Sequence, residues 1–413
     1  MPRPKNAKTH ANAGSRAMQV RHYLTREIRT GRLRPGAFLP SVRELAAKFE
    51  SSITPAVVAL REMEREGLVE RIRGSGVRVR ATELPVAAPR ILLPVTRAAT
   101  RVVLGGAQPI ATHTIEATQQ WAMRTLVGRQ DIQVVLAPMD NAQPVEGHDR
   151  TALVSSFEHV LNQALVDPPQ ALCVAEPEFI SDDALALLRR LASEGTRIVY
   201  HATGRLLPDF DPVVSDFAQG QYDLTRHVLS QGHRRLLRLA SRADFFWEQR
   251  KQEGHARALS EAGFKPPEIE RTLLYLGERP PPGPERVGQM MRLLSSALAE
   301  HRPTAILAIN DAVVAEVRVA LRFLGAKELL VTGYDHMWGE LQRPMDFNLG
   351  QLAQSFPEEV AVNRPPITVD KQLPLVGATL ARLVLDGLEG GVDPSPREIL
   401  LPQKLIVDPT STP

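Results

Sequence analysis

Two sets of side chains in this sequence have types and spacings that could do chemistry. The first lies within the opening eighty residues. Ser41 and Arg43 open one apolar-periodic segment, Ser52 and Thr54 open the next, and Arg73-Gly74-Ser75-Gly76 is followed by Arg78. A guanidinium can bond O6 and N7 of one guanine, and hydroxyls donate to phosphate or to base edges. The second set lies far downstream, where Asn310 and Asp311 follow one apolar run and Asp335 follows another. Amides and carboxylates at such places suit the hydroxyls of a small polar ligand, because ligands of open α/β sheets bind beyond the carboxyl ends of strands.

The elements that must position the first set are short. Val20, Tyr23, Leu24 and Ile28 make one apolar face of a helix over 16–30. Pro40 to Ala46 starts a second helix, with Ser41 as N-cap and Glu44 completing a capping box. Ser51-Ser52-Ile53-Thr54-Pro55 starts a third, running to about Arg65 and stopped by Gly67. Leu68–Ile72 and Val77–Arg80 then alternate as two strands around the tight turn 73–76. Three helices and a basic hairpin predict an α+β winged helix-turn-helix.

Charge supports that division. Residues 1–81 hold 17 Lys and Arg against 7 Asp and Glu, whereas the remainder is acidic by 7 charges. A compact basic segment on an acidic body suggests a nucleic-acid module. Residues 1–15 read as a basic arm, 82–89 as a linker and 409–413 as a tail. The body over 90–408 alternates strands and helices, which argues for parallel sheets, and its size argues for two lobes. Its first strand is either Arg90–Val95 or Arg101–Gly106. Strands are expected at 132–137, 171–175, 196–200, 236–240, 305–309 and 329–332. Helices are expected at 154–166, 182–194, 222–230, 249–262 and 312–324.

The first module resembles the GntR family of bacterial regulators. Leu33-Arg34-Pro35-Gly36, Leu39 to Ala46, Ala59-Leu60, Glu66 to Val69 and Arg73 to Gly76 carry the resemblance in order and spacing. It implies that the third helix enters the major groove with Ser52 and Thr54 at its leading end, and that Arg43 contacts DNA. The wing glycines Gly74 and Gly76, with Ser75, would let the backbone approach the duplex, while Arg73 and Arg78 attract phosphates. The chain departs from the family at Ile53 and Val57, where arginines are common. Either apolar contacts to thymine methyls replace them, or affinity leans on Arg43 and the wing. Val58 is expected to pack inside the module.

The body resembles the effector domain of the LacI/GalR regulators, an α/β two-lobed fold of the type I periplasmic-binding-protein kind. His227 to Arg235, Arg250 with Gly254 and Ala258, Pro303 to Asp311, Val331 to Asp335, and Thr368-Val369 with Gly377 carry the resemblance. It implies that Arg250, Asn310 and Asp335 contact a sugar-like effector, with Asp311 beside them and Trp247 offering a stacking face among Phe245 and Phe246. Asp311 could equally cap the helix that follows, and Gln108 and His113 are weaker candidates. Lys371 stands where the family often has a glutamine, which favours an acidic or phosphorylated ligand. The stretch 336–367 reads as an insertion.

The combination implies a cytoplasmic, ligand-responsive transcription regulator, a repressor of carbohydrate-utilisation genes by resemblance, acting as a homodimer on double-stranded operator DNA. No cofactor is expected, and none of the metalloprotease, phosphate-loop or Ser-His-Asp patterns of an enzyme occurs. The single cysteine, Cys173, reads as core. No apolar run is long enough to span a membrane. The alternatives are a body that serves dimerisation or protein contacts without sensing sugar, and a fusion to a pyridoxal-phosphate domain. The latter would need a positioned lysine among the five after residue 100: Lys251, Lys265, Lys327, Lys371 and Lys404.

Overall fold

A computed structural model of the chain describes residues 16–17, 19–21, 23–25, 27–28, 33–49, 51–80, 88–96, 114–139, 151–175, 180–241, 245–277, 284–336, 365–388 and 398–408. The arm at 1–15, most of the linker, Arg101–Gly106, Gln108, His113, most of 336–367 and the tail lie outside them. The chain divides into two compact units, Met1–Pro89 with Asn162–Pro168, and Arg90–Leu161 with Pro169–Pro413.

In the first unit, the described residues between 16 and 28 are helical and form α1. They are followed by α2 (Val42–Lys48) and α3 (Ile53–Arg65), then by strands β1 (Val69–Ile72) and β2 (Gly76–Val79). Helix α2 is short, and the Ser41–Glu44 capping box satisfies its leading N–H groups. Helix α3 ends where Gly67 takes φ +75°, with the Gly67 and Leu68 N–H groups donating back to Glu64 and Met63 carbonyls. Val20, Leu24, Leu45, Ala59, Leu60, Met63, Val69 and Val79 close one core between the helices and the hairpin. β1 and β2 pair antiparallel, with Glu70 opposite Arg78.

The second unit has two parallel sheets. The first contains β3 (Arg90–Thr96), β4 (Gln133–Met139), β5 (Ala171–Val174), β6 (Arg197–Ala202), β7 (Asp211–Ser215) and β13 (Ile399–Leu401), in the order β13-β7-β6-β5-β3-β4. β3 settles the choice of first strand in favour of Arg90–Thr96, which pairs with both β4 and β5. The second sheet has the order β11-β10-β8-β9, from β8 (Leu236–Ala240), β9 (Leu273–Tyr275), β10 (Ala305–Leu307) and β11 (Leu330–Thr332). β5, β7, β8 and β10 are buried at every position, as strands covered on both faces must be. Cys173 sits in β5, fully buried, and burial pushes its thiol up to about 12.

Helices α4 (Thr114–Leu126), α5 (Thr151–Val166) and α6 (Asp182–Ser193) alternate with the strands of the first sheet. Helices α7 (Phe217–Ser230), α8 (Phe246–Glu261), α9 (Pro266–Glu270), α10 (Pro284–His301) and α11 (Asp311–Phe323) belong to the second part. The chain then returns. Strand β12 (Ile367–Asp370) pairs antiparallel with β14 (Lys404–Val407), while α12 (Leu373–Leu388) lays Val376, Leu380 and Val384 on the core of the first sheet. Two glycines of the expected motifs are close helix crossings. A Cβ on Gly254 would lie 1.9 Å from the Ala218 carbonyl oxygen, and one on Gly377 would lie 2.7 Å from that of Thr118.

Candidate DNA-binding face and effector site

On the first unit, Arg43 stands exposed in the first turn of α2, and no carboxylate pairs with it among the described residues. The hydroxyl of Ser41 accepts from the Glu44 N–H at 3.2 Å, while its own N–H donates to the Glu44 carboxylate at 2.6 Å. That hydrogen bond from Ser41 holds the Glu44 carboxyl below its ordinary range. Ser52 is the N-cap of α3, but its hydroxyl makes no capping bond. It remains available beside the exposed Thr54.

The leading end of α3 carries no charge. Ile53 is 54% exposed, Val57 is half-buried, and Val58 is 39% exposed. The expectation that Val58 packs inside is therefore corrected: α3 buries Pro55, Ala56, Ala59, Leu60 and Met63, and Val58 falls on the opposite side of that stripe. Phe38, 50% exposed and bridged to Arg78 at the foot of the wing, is a further apolar surface residue that the sequence reading missed.

In the wing, Gly74 and Gly76 take φ +80° and +117°, a turn closed to ordinary side chains. The exposed Arg73 has no partner among the described residues. Arg78 differs, because its Nε donates to Glu70 at 3.0 Å across the hairpin. Arg80 also approaches Glu70, at 3.8 Å, and the bond from Arg78 holds the Glu70 carboxyl below its ordinary value. The wing thus offers one uncompensated cation, Arg73, where the sequence suggested two.

In the second unit, polar groups gather at the carboxyl ends of the second sheet. Asp335, just past β11, forms an ion pair with Lys371 at 3.1 Å, and both side chains keep about a tenth of their surface exposed, 11% and 12%. Its backbone is held at φ +90° by an N–H bond to the Val369 carbonyl at 2.8 Å. His336 and Gln372 also take positive φ, at 46° and 55°. Strain of this kind persists only where the surroundings fix it, and it tends to mark ligand sites.

Asn310 is the N-cap of α11, accepting from the Val313 N–H at 3.0 Å. The cap is therefore Asn310, not Asp311. Asp311 is buried, and its carboxylate accepts from the Thr368 hydroxyl at 2.7 Å. Trp247 is half-buried with its ring stacked on Phe245, centroids 5.7 Å apart.

Arg250 is not brought into this group; it forms a surface ion pair with Glu253, one turn along α8. Its neighbour Lys251 occupies the place instead. The Lys251 ammonium is buried, donates to the Ile309 carbonyl at 3.1 Å, and lies 3.3 Å from the ring centroid of Tyr334 and 5.0 Å from that of Trp247. Burial pushes its pKa down to about 7; Asp335 and Glu248 pull it up, while Lys371 and Arg238 push it further down. Arg238 and Glu248 form a buried ion pair at 2.7 Å beneath it. From the first sheet, His201 lies 3.1 Å from the Ser215 hydroxyl, and burial together with Lys371 lowers its pKa to about 3, so it is neutral. Tyr334 and His201 are not singled out by the sequence, and Lys251 enters there only among the lysines weighed for a cofactor. For Lys251 the signal existed: Glu248, Lys251, His255 and Ala258 repeat at helical spacing through the same buried stripe as Gly254.

Among the described residues no cluster of His, Cys, Asp and Glu could hold a metal ion, and no helix is long and apolar enough to cross a membrane.

The architecture is that of a winged-helix module joined to a two-sheet, periplasmic-binding-protein-like domain. Comparison with known proteins identifies both parts. Residues 16–79 match the bacterial regulatory proteins of the gntR family, and residues 225–410 match the periplasmic-binding-protein-like domain. The HTH-type transcriptional regulator DegA of Bacillus subtilis strain 168 is 28% identical over 159 residues, 38% of this chain and 44% of DegA. SmoD, an HTH-type transcriptional regulator of Agrobacterium fabrum strain C58, is 37% identical over 68 residues, 16% of this chain and 29% of SmoD. The chain thus spans less than half the length of these curated relatives. Among solved structures, the transcriptional regulator CelR in complex with cellobiose aligns over 89% of this chain and 99% of its own, with TM-score 0.53 at 17% identity. That likeness establishes the shared fold.

Proposed function

We propose that the protein is a transcription regulator that binds operator DNA through its first unit and alters that binding when its second unit holds a sugar-like small molecule. The observation that carries this reading is the composition of the gntR-type module. It leaves Arg43, Ser52, Thr54 and Arg73 exposed without carboxylate partners, and these side chains can contact phosphate and base edges. The strained, partly exposed Asp335–Lys371 pair at the strand ends supports a ligand site in the second unit.

In this reading 16–81 is the DNA-binding domain, 82–89 the linker and 90–408 the effector domain. Two copies act together on paired half-sites, as a two-fold dimer requires. Effector binding shifts the equilibrium between lobe arrangements and so the affinity for the operator. Repression of carbohydrate-utilisation genes in the cytoplasm is the setting that fits.

Selection of DNA from a random library by the full chain tests the reading. An enriched sequence bound by the wild type, and lost from Arg43→Ala, is the expected result. Enrichment of nothing, or equal enrichment by the variant, would remove the DNA-binding assignment or the role of Arg43 respectively.

A further inference from the structure

We propose that the effector is anionic: a carboxylate or phosphate on a small polyhydroxylated molecule, received between the ammonium groups of Lys251 and Lys371. This rests on reading the second unit as the effector domain, and it goes further by fixing the ligand's charge.

Four charged groups surround Lys251. Asp335 and Lys371 face it from the strand-end loop and the start of α12; Arg238 and Glu248 face it from β8 and the first turn of α8. Arg238 and Glu248 pair at 2.7 Å, and Asp335 pairs with Lys371 at 3.1 Å. Lys251 differs from them: it has no carboxylate within ion-pair distance among the described residues and leans on the Ile309 carbonyl and two aromatic faces. A buried cation without a counter-charge is costly. Nearby polar groups do not supply one: His201 is neutral, and the Tyr334 hydroxyl, kept from ionising chiefly by burial, is bonded to Gln403.

A neutral sugar leaves Lys251 without an ion-pair partner. An anionic group supplies the missing charge and gains a charge-assisted hydrogen bond from each lysine. It also makes binding sensitive to pH. Lys251 titrates near pH 7 in the unliganded protein, so an anion that holds it charged is bound with uptake of a proton above that pH.

Thermal-shift and calorimetric titrations of the full chain at fixed ionic strength test the proposal, with glucose, gluconate, glucose 6-phosphate and inorganic phosphate as probes. At least one anion is expected to bind where glucose does not, and the hit separates carboxylate from phosphate. Gluconate keeps one charge from about pH 6 to pH 8.5, so if it binds, its affinity should fall about tenfold or more across that range. Lys371→Gln and Lys251→Met should each weaken the bound anion by about tenfold or more while operator binding stays unchanged, the latter showing that the variants fold. Tighter binding of glucose than of every anion, no anion binding at all, or a hit indifferent to both variants would overturn the proposal. None of those results touches the DNA-binding reading, which the library selection decides on its own.

Discussion

The two faces that would meet ligands distribute charge in opposite ways. The leading end of α3, on a basic module, is uncharged and exposes Ile53 and Val58. The strand ends of the second unit, largely withdrawn from water, concentrate Lys251, Lys371, Arg238, Asp335 and Glu248. Each arrangement runs against the ordinary cost of its surroundings, since exposed aliphatic side chains gain nothing from water and buried charges lose their hydration. The contrast teaches where specificity is placed. In the proposed reading, Arg43 and Arg73 would attract and orient a polyanion at the first face, with apolar contact adding to what Arg43 reads, whereas at the second face the charge around Lys251 would select the ligand.

The largest effect that can break this contrast is expected at Asp335. Asp335→Ala removes the carboxylate that pairs with Lys371, and should lower stability by about 3 kcal/mol and change the effector response while operator binding persists. Chemical denaturation and ligand titration check the two halves, and a normal ligand response would take Asp335 out of the site.

Lys251→Met should act in the other direction on stability. The folded pKa of Lys251 is depressed to about 7, so between pH 7 and the ordinary lysine range the unfolded chain binds the extra proton. Stability contributed through this group therefore rises with pH across that window and is lost as pH falls to about 7. The variant should flatten this rise and stabilise the ligand-free protein near neutrality, since a methionine fills similar volume without the charge. Denaturation midpoints between pH 6.5 and 9.5 read the slope directly. An unchanged slope would mean that Lys251 is not the titrating group.

Within the wing the comparison sharpens to two arginines. Arg73→Ala should weaken binding to all DNA sequences and reduce the salt slope by about 1, whereas Arg78→Ala should do less because Glu70 already compensates it. Filter binding over a salt series distinguishes them, and equal losses would show that Glu70 releases Arg78 on the duplex.

The smallest effect belongs to the apolar end of α3. If Ile53 or Val58 touches a thymine methyl, uracil in place of that thymine should cost about 0.8 kcal/mol, the value of one buried methyl group, and the same swap should cost Ile53→Ala less. Operators that bind equally with either base would show that these residues do not read the groove.

Much of this was legible in the sequence, for stated reasons. The capping box at Ser41 and Glu44, the start of α3 near Pro55 and the wing turn rest on local chemistry, so they survive without knowledge of the fold. β8 falls at Leu236–Ala240 as its apolar run indicates. β7 was missed because a short DPVVS segment with a proline shows no alternation, and its strand state comes from pairing with β6 and β13. Helix α10 was passed over beside a proline-rich stretch. At the effector site the difficulty was angular. Adjacent helical residues point about 100° apart, so Arg250 stands on the exposed face of α8 and Lys251 on the buried one. The pairing of Arg78 with Glu70 depends on hairpin register, which charge composition does not carry.

In the proposed function the two units are coupled. The direct measurement is fluorescence anisotropy of the full chain on its selected operator, with and without a saturating anionic ligand from the panel, in the wild type and in Lys371→Gln. A change in operator affinity of about fivefold or more is expected in the wild type, reached in the variant only at about tenfold or more higher ligand concentration. An operator affinity that stays the same at ligand saturation would contradict it, leaving two binding domains on one chain with no regulation between them.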